Sequence, residues 1–202
     1  MQEEELIRAA LESSAETKRA MIQACSRDLM AAADMISQAM QSGGTLLLCG
    51  NGGSAADSQH IATEFVVRLS AHTDRSALPA LALTTDTSTL TAAANDYGFD
   101  KVFSRQIEAL GRPGDVLIAI STSGSSRNVV EAARAARVRG IRVIALLGAE
   151  KRELGELATL CIRIPAQDSQ RVQEGHITAG HILVHLVEKR LADAGKRDKP
   201  QS

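Results

Sequence analysis

Two short stretches of unbroken apolar residues each stop at a loop of glycine and serine, and each loop opens a helical segment. The first is Leu46-Leu47-Leu48-Cys49, followed by Gly50-Asn51-Gly52-Gly53-Ser54. The second is Val116 to Ile120, followed by Ser121-Thr122-Ser123-Gly124-Ser125-Ser126. A strand with no polar alternation is buried on both faces, as strands are in parallel sheets covered by helices on both sides. Ligands of such sheets bind beyond the carboxyl ends of the strands, where these two loops emerge. Gly50, Gly52 and Gly53 permit a sharp turn and a close backbone approach to a ligand. Ser54 reads as the N-cap of the following helix. A helix N-terminus after such a turn offers free N–H groups and positive partial charge, which suits a phosphate.

The rest of the chain extends the same pattern. Residues 5–41 are rich in helix formers and free of Pro and Gly up to Gly43, with a break into two helices expected near Ser26. That helical segment covers one sheet face or packs against another subunit. Further strands are expected at 45–49, 79–84, 116–120, 141–147 and 160–164. Helices are expected from Ser54 to about Leu69, at 88–95, 101–110, 127–139 and 151–158, and from Ser169 to about Ala194. Asn95-Asp96-Tyr97-Gly98-Phe99 reads as a polar turn, 70–78 as a turn-like connection, and 195–202 as a frayed charged tail. Alternating strands and helices predict an α/β fold with a five-stranded parallel sheet and helices on both faces. No linker interrupts the pattern, so 1–202 reads as one domain.

Aromatic residues are only 2% of the chain and Trp is absent, so an aliphatic core is expected and base stacking on single-stranded nucleic acid is not. A formal net charge of −1 gives no basic footprint for nucleic acid. Cys25, Cys49 and Cys161 are widely spaced and odd in number, which reads as free thiols in a reducing compartment. The acidic start Met1-Gln2-Glu3-Glu4-Glu5 does not resemble a signal peptide, and no apolar run approaches a membrane span. A cytoplasmic location, away from membranes, is the expectation.

Gly50-x-Gly52-x-x-Ala55 matches a relaxed dinucleotide fingerprint. The acidic residue that should close the next strand is missing at its spacing, because that strand ends near Thr84-Thr85-Asp86. The serine loop has no following lysine of the nucleotide-triphosphate type. It offers either hydroxyl and N–H donors to a monophosphate or a plain helix cap. His60 and Glu64 stand at i and i+4 on one helix face, as metal ligands, proton carriers or a solvated face. The last helix adds Gln173, Glu174, His176, His181 and His185. Gln173 and His181 are about 80° apart around a helix, within reach of one site. His185 lies among Leu183, Val184, Leu186 and Val187 and reads as a packed or surface histidine. A His60/Glu64/Gln173/His181 set has the donors for zinc, with the amide its weakest member.

Gly50-Asn51-Gly52-Gly53-Ser54-Ala55, Asn95-Asp96-Tyr97-Gly98-Phe99, Ile120-Ser121-Thr122-Ser123-Gly124 and Arg171-Val172-Gln173-Glu174-x-His176 with His181 occur in that order. Together they resemble the sugar isomerase (SIS) fold, and within it the bacterial phosphoheptose isomerases. The resemblance spans about residues 5–192. It implies a flavodoxin-like three-layer sandwich and a homotetramer with active sites at subunit interfaces. It also implies conversion of sedoheptulose 7-phosphate to D-glycero-D-manno-heptose 7-phosphate. Asn51, Gly52, Gly53, Ser54, Asn95 and Asp96 would contact the substrate. So would Ser121, Thr122, Ser123, Ser126 and Gln173. His60, Glu64, Gln173 and His181 would bind one zinc per subunit. Glu64 is the expected base of an enediol mechanism and His181 its acid partner. Gln170, directly before Arg171, departs from members that carry Asp nearby. The same fold also serves DiaA-like proteins that bind the replication initiator, and sugar-phosphate sensors. Retention of both Glu64 and His181 favours the enzyme.

Overall fold

The structure, a computed structural model, describes residues 2–71 and 75–197, with side chains to residue 194. Five parallel strands lie in the order β2-β1-β3-β4-β5. They are β1 (Leu46–Cys49), β2 (Ala80–Ala82), β3 (Val116–Ser121), β4 (Arg142–Leu147) and β5 (Leu160–Arg163). The order reverses between β1 and β3, which pair directly with Leu48 beside Ile118 and Cys49 beside Ala119. Chains leaving β1 and β3 therefore diverge and open a crevice between their two loops.

Alternate strand residues feed two cores. Leu46, Leu48, Ile118, Ile120, Ile144 and Leu146 pack with α1 (Glu3–Gln41), α2 (Gly53–Val66) and α7 (Ser169–Arg197). Leu47, Cys49, Leu117, Ala119, Val143 and Ala145 pack with α4 (Ser104–Leu110), α5 (Arg127–Val138) and α6 (Arg152–Leu157). Each fully buried aliphatic side chain contributes about 1.5–3 kcal/mol, so four residues suffice for β1, which is buried throughout. Cys25 and Cys49 are buried and Cys161 half-buried, all as free thiols.

Several boundaries differ from expectation. The N-terminal helix is unbroken over 39 residues. Ser26 does not cap a second helix; its hydroxyl donates to the carbonyl of Ile22 one turn back. Ser54 is not the N-cap of α2. Gly52 holds that place with φ +55°, a conformation open to glycine, and Ser54 lies buried in the first turn. The expected turn at 95–99 begins later, because Asn95, Asp96 and Tyr97 complete α3 (Thr87–Tyr97) and Gly98 at φ +86° ends it. A 3₁₀ turn, Phe99–Lys101, then precedes α4. The expected fraying at 195–202 falls largely outside the described residues.

Candidate active site

The glycine loop after β1 delivers α2, and α7 lies along it. Gly180 sets their separation: a Cβ there would come within 2.5 Å of Ile61 Cδ1, whose side chain is buried. This close approach puts His181 of α7 beside His60 of α2. Their Nε2 atoms are 2.9 Å apart, with the rings tilted by 59°. One turn further along α2, Glu64 Oε1 is 3.4 Å from His60 Nε2. Ligand atoms of His60, Glu64 and His181 all lie within 4.8 Å of one another. The Glu64 side chain is 19% exposed and that of His60 49%, so the carboxylate sits deeper than the imidazole.

Two residues that no motif singled out hold this helix pair. Arg75 donates to the backbone carbonyls of Glu64 and Phe65 at 2.7 and 2.8 Å, satisfying open acceptors at the end of α2. The same guanidinium pairs with the buried Glu188 of α7 through Nε at 2.7 Å. It thus ties the last turn of α2 to α7, next to the site's carboxylate.

Gln173 lies at the other end of α2. A Cβ on Gly53 would stand 3.0 Å from Gln173 Nε2. Eight residues separate Gln173 from His181, about 12 Å of helix rise. Its amide thus faces the glycine loop, while His60, Glu64 and His181 form the converging set. Asp57, one turn before His60, has its Oδ2 buried without a hydrogen-bond partner. Burial pushes its carboxyl above the usual range, and His60 opposes that shift.

The serine loop is knitted by its own hydroxyls. Ser121 Oγ lies 3.0 Å from Ser126 Oγ and 3.4 Å from Ser123 Oγ, and it accepts from the Gly124 N–H. Ser123 Oγ in turn accepts from the Ser125 N–H and hydroxyl. Ser126 occupies the N-cap of α5, but its side chain makes no cap hydrogen bond to that helix. The hydroxyls are thus turned toward each other, which the plain-cap reading does not require. Thr122 is half-buried, and its carbonyl accepts from Gly148. Asn51 and Asn128 exchange two amide hydrogen bonds of 2.8 Å and bridge the glycine and serine loops.

Asn95 and Asp96 stand at the end of α3, both exposed, and bond to each other at 2.8 Å. Asp96 borders a groove with Tyr97 and Arg105, on the helical layer opposite α2 and α7. Glu174 pairs with the buried Arg171 at 2.8 Å. His176 is fully buried, and burial pulls its imidazole down to about 4, so it is neutral at pH 7. His185 is exposed. Neither is part of the converging set.

A switch-point crevice with a hydroxyl-lined loop, together with an imidazole–carboxylate cluster between α2 and α7, suits a phosphorylated small molecule undergoing proton transfer. The SIS domain family model matches residues 11–148. The phosphoheptose isomerase of Chlorobium phaeobacteroides is 50% identical over 189 residues, 93% of this chain and 84% of that protein. The structure of phosphoheptose isomerase GmhA from Neisseria gonorrhoeae matches with a TM-score of 0.87 at 40% identity, covering 93% of this chain and 100% of that one. A phosphoheptose isomerase structure from Francisella tularensis gives 0.89 at 32% identity over 94% and 100%. The chain belongs to the SIS-domain family and, within it, to the phosphoheptose isomerases.

Proposed function

We propose that this chain converts sedoheptulose 7-phosphate to D-glycero-D-manno-heptose 7-phosphate, the first step toward the ADP-heptose of lipopolysaccharide core. The observation that carries this reading is the convergence of His60, Glu64 and His181 within 4.8 Å of one another between α2 and α7. Ser121, Thr122, Ser123 and Ser126 take the phosphate. Asn51, Gly52, Gly53, Ser54 and Gln173 orient the sugar from the β1 side. Asn95 and Asp96 contact it from the end of α3.

Glu64 removes a proton from C1 of the ketose, and the C–H electron pair becomes the C1–C2 double bond. His181 delivers a proton to the oxygen on C2, giving the enediol. In the second half Glu64 returns its proton to C2. The hydroxyl on C1 releases its proton to His181, leaving the aldehyde. Each group ends as it began, so one acid–base pair serves both halves.

The donor set also fits a divalent cation. Two imidazole nitrogens and a carboxylate oxygen suit zinc, and Nε2 atoms 2.9 Å apart either share a proton or face a cation in common. We assign one zinc per subunit to His60, Glu64 and His181; Gln173, expected as a fourth and weakest ligand, faces the glycine loop about 12 Å along α7 from His181 and is left to the substrate. Bound there, the ion would supply polarisation of the substrate carbonyl, the task that falls to the His181 proton where no ion is held. A carboxylate has two oxygens, so Glu64 retains one for the proton.

The working unit in this proposal is one SIS domain over 1–202, assembled as a homotetramer with sites at subunit interfaces. Exposed Leu6, Ile7 and Leu11 on α1 support burial against another copy. Three free thiols support a cytoplasmic setting, and no helix among the described residues is long and apolar enough to cross a membrane. The intact acid–base pair weighs against an initiator-binding or sensor role.

Turnover of sedoheptulose 7-phosphate by purified protein, before and after chelation and zinc return, tests this. Loss on chelation with recovery on zinc is expected. Turnover indifferent to chelation would remove the metal and keep the isomerase. No turnover in either state would move the reading to a binding protein.

A further inference from the structure

The serine loop offers an anion neutral donors alone. A phosphate monoester is close to doubly charged at pH 7, and a guanidinium is the side chain best matched to it. Among the described residues one non-glycine residue has a left-handed backbone, and it is an arginine: Arg152, φ +37°. That conformation crowds a Cβ against the backbone and is retained where its surroundings enforce it. Here they do. The Leu154 N–H donates to the Gly124 carbonyl at 3.0 Å, docking the start of α6 on the serine loop. The Arg152 Cβ lies 3.2 Å from where a Cβ on Gly124 would be.

A cavity of about 320 Å³ opens beside this contact. Thr122 and Ser123 line it from the serine loop, Glu150 and Arg152 from the β4–α6 connection, and Gln167 and Ser169 from the approach to α7. Arg152 is its one cationic lining residue. Its guanidinium is parked on Glu150, with Nε at 2.6 Å and the second contact at 2.5 Å. Both partners are more than half exposed, so the pair is cheaply broken. The neighbouring cations are engaged elsewhere, Lys151 with Glu156 and Arg127 with Asp100.

We propose that Arg152 is a substrate-positioning residue that leaves Glu150 and clamps the phosphate group seated in the serine loop. The strained backbone sets the Arg152 Cβ against Gly124 of the loop, and the residue lines the same cavity as Thr122 and Ser123. This rests on the phosphate site proposed above, and the test separates the two.

Binding of inorganic phosphate is measured by calorimetry for the wild type, R152Q, R152K, R152G, E150Q and R127Q, together with KM and kcat for sedoheptulose 7-phosphate. R152Q and R152G should weaken phosphate binding and raise KM about tenfold, with kcat changed less than about twofold. R152K should recover part of the loss. E150Q, by freeing the guanidinium, should tighten binding about twofold, and R127Q should leave it unchanged. R152G should also melt at a higher temperature than R152Q, because glycine accepts the left-handed backbone. Unchanged phosphate affinity in both R152Q and R152G overturns the proposal, as does a loss in R127Q instead. Phosphate binding is read without turnover, so absence of isomerase activity would strike the earlier reading alone. Wild-type protein that binds no phosphate would overturn both.

Discussion

The glycine loop after β1 and the serine loop after β3 sit side by side at one sheet edge and are built on opposite physics. The first has almost no side chains of its own. A Cβ on Gly50 would stand 2.7 Å from the Ser54 carbonyl, and one on Gly53 would stand 3.0 Å from Gln173. Its task is to bring backbones together so that α2 and α7 can present His60, Glu64 and His181. The second loop is rich in side chains, with hydroxyls bonded to hydroxyls. One loop positions reactive groups through rigid helices, and the other presents adaptable donors directly. Errors in the first should therefore cost turnover or stability, and errors in the second should cost affinity.

The largest expected effect is in the helix-borne half. Glu64→Gln keeps the size of the side chain and removes its basicity, so kcat should fall about a thousandfold, within the span of general acid–base catalysis. Steady-state kinetics with metal content measured on the same sample sharpens the comparison. Turnover lost with zinc retained identifies the carboxylate as the base. Turnover and zinc lost together mark it first as a ligand. Wild-type turnover would remove Glu64 from the mechanism.

What was readable in the chain divides along the same line. The strands, their order of appearance and both loops were legible, because uninterrupted apolar runs ending in glycine or serine have few other solutions. The convergence of His60, Glu64 and His181 was only a possibility at the residue level, since it joins positions 121 residues apart. The supports of the site left no local trace. Arg75 and Glu188 are 113 residues apart, and Asn51 and Asn128 are 77. A lone arginine or asparagine has no pattern until the fold supplies its partner. Ser54 misled because a cap is chosen by backbone geometry as well as by residue type, and Gly52 takes the left-handed turn that starts α2. Asn95 and Asp96 misled in the reverse sense: turn-forming residues were held in helix until Gly98 ended it.

Gly180 is the next largest lever. Glycine within a helix is normally improved by alanine, by up to about 1 kcal/mol. Here the added methyl would sit 2.5 and 2.6 Å from two carbons of Ile61, which is fully buried and cannot swing away. Overpacking costs about 1–3 kcal/mol, so the clash outweighs the propensity gain. Gly180→Ala should lower Tm by several degrees and weaken zinc binding by widening the His60–His181 gap, as read by calorimetry and metal titration. An unchanged or higher Tm with unchanged zinc affinity would mean that α2 and α7 can part without cost, and the contrast between rigid and adaptable halves would fail.

The smallest expected effect belongs to the serine loop. Ser123 is exposed, and its hydroxyl is one of several that meet there. Ser123→Ala removes one neutral hydrogen bond to the phosphate, about 1 kcal/mol, or roughly fivefold in KM. The remaining hydroxyls and the Gly124 N–H can still re-aim, so kcat and Tm should hold within error. The comparison requires this split, with affinity changed and turnover kept. A fall in kcat as large as that of Glu64→Gln would mean that the serine loop also sets the position of the reacting carbons, and that the two halves of the site are mechanically one.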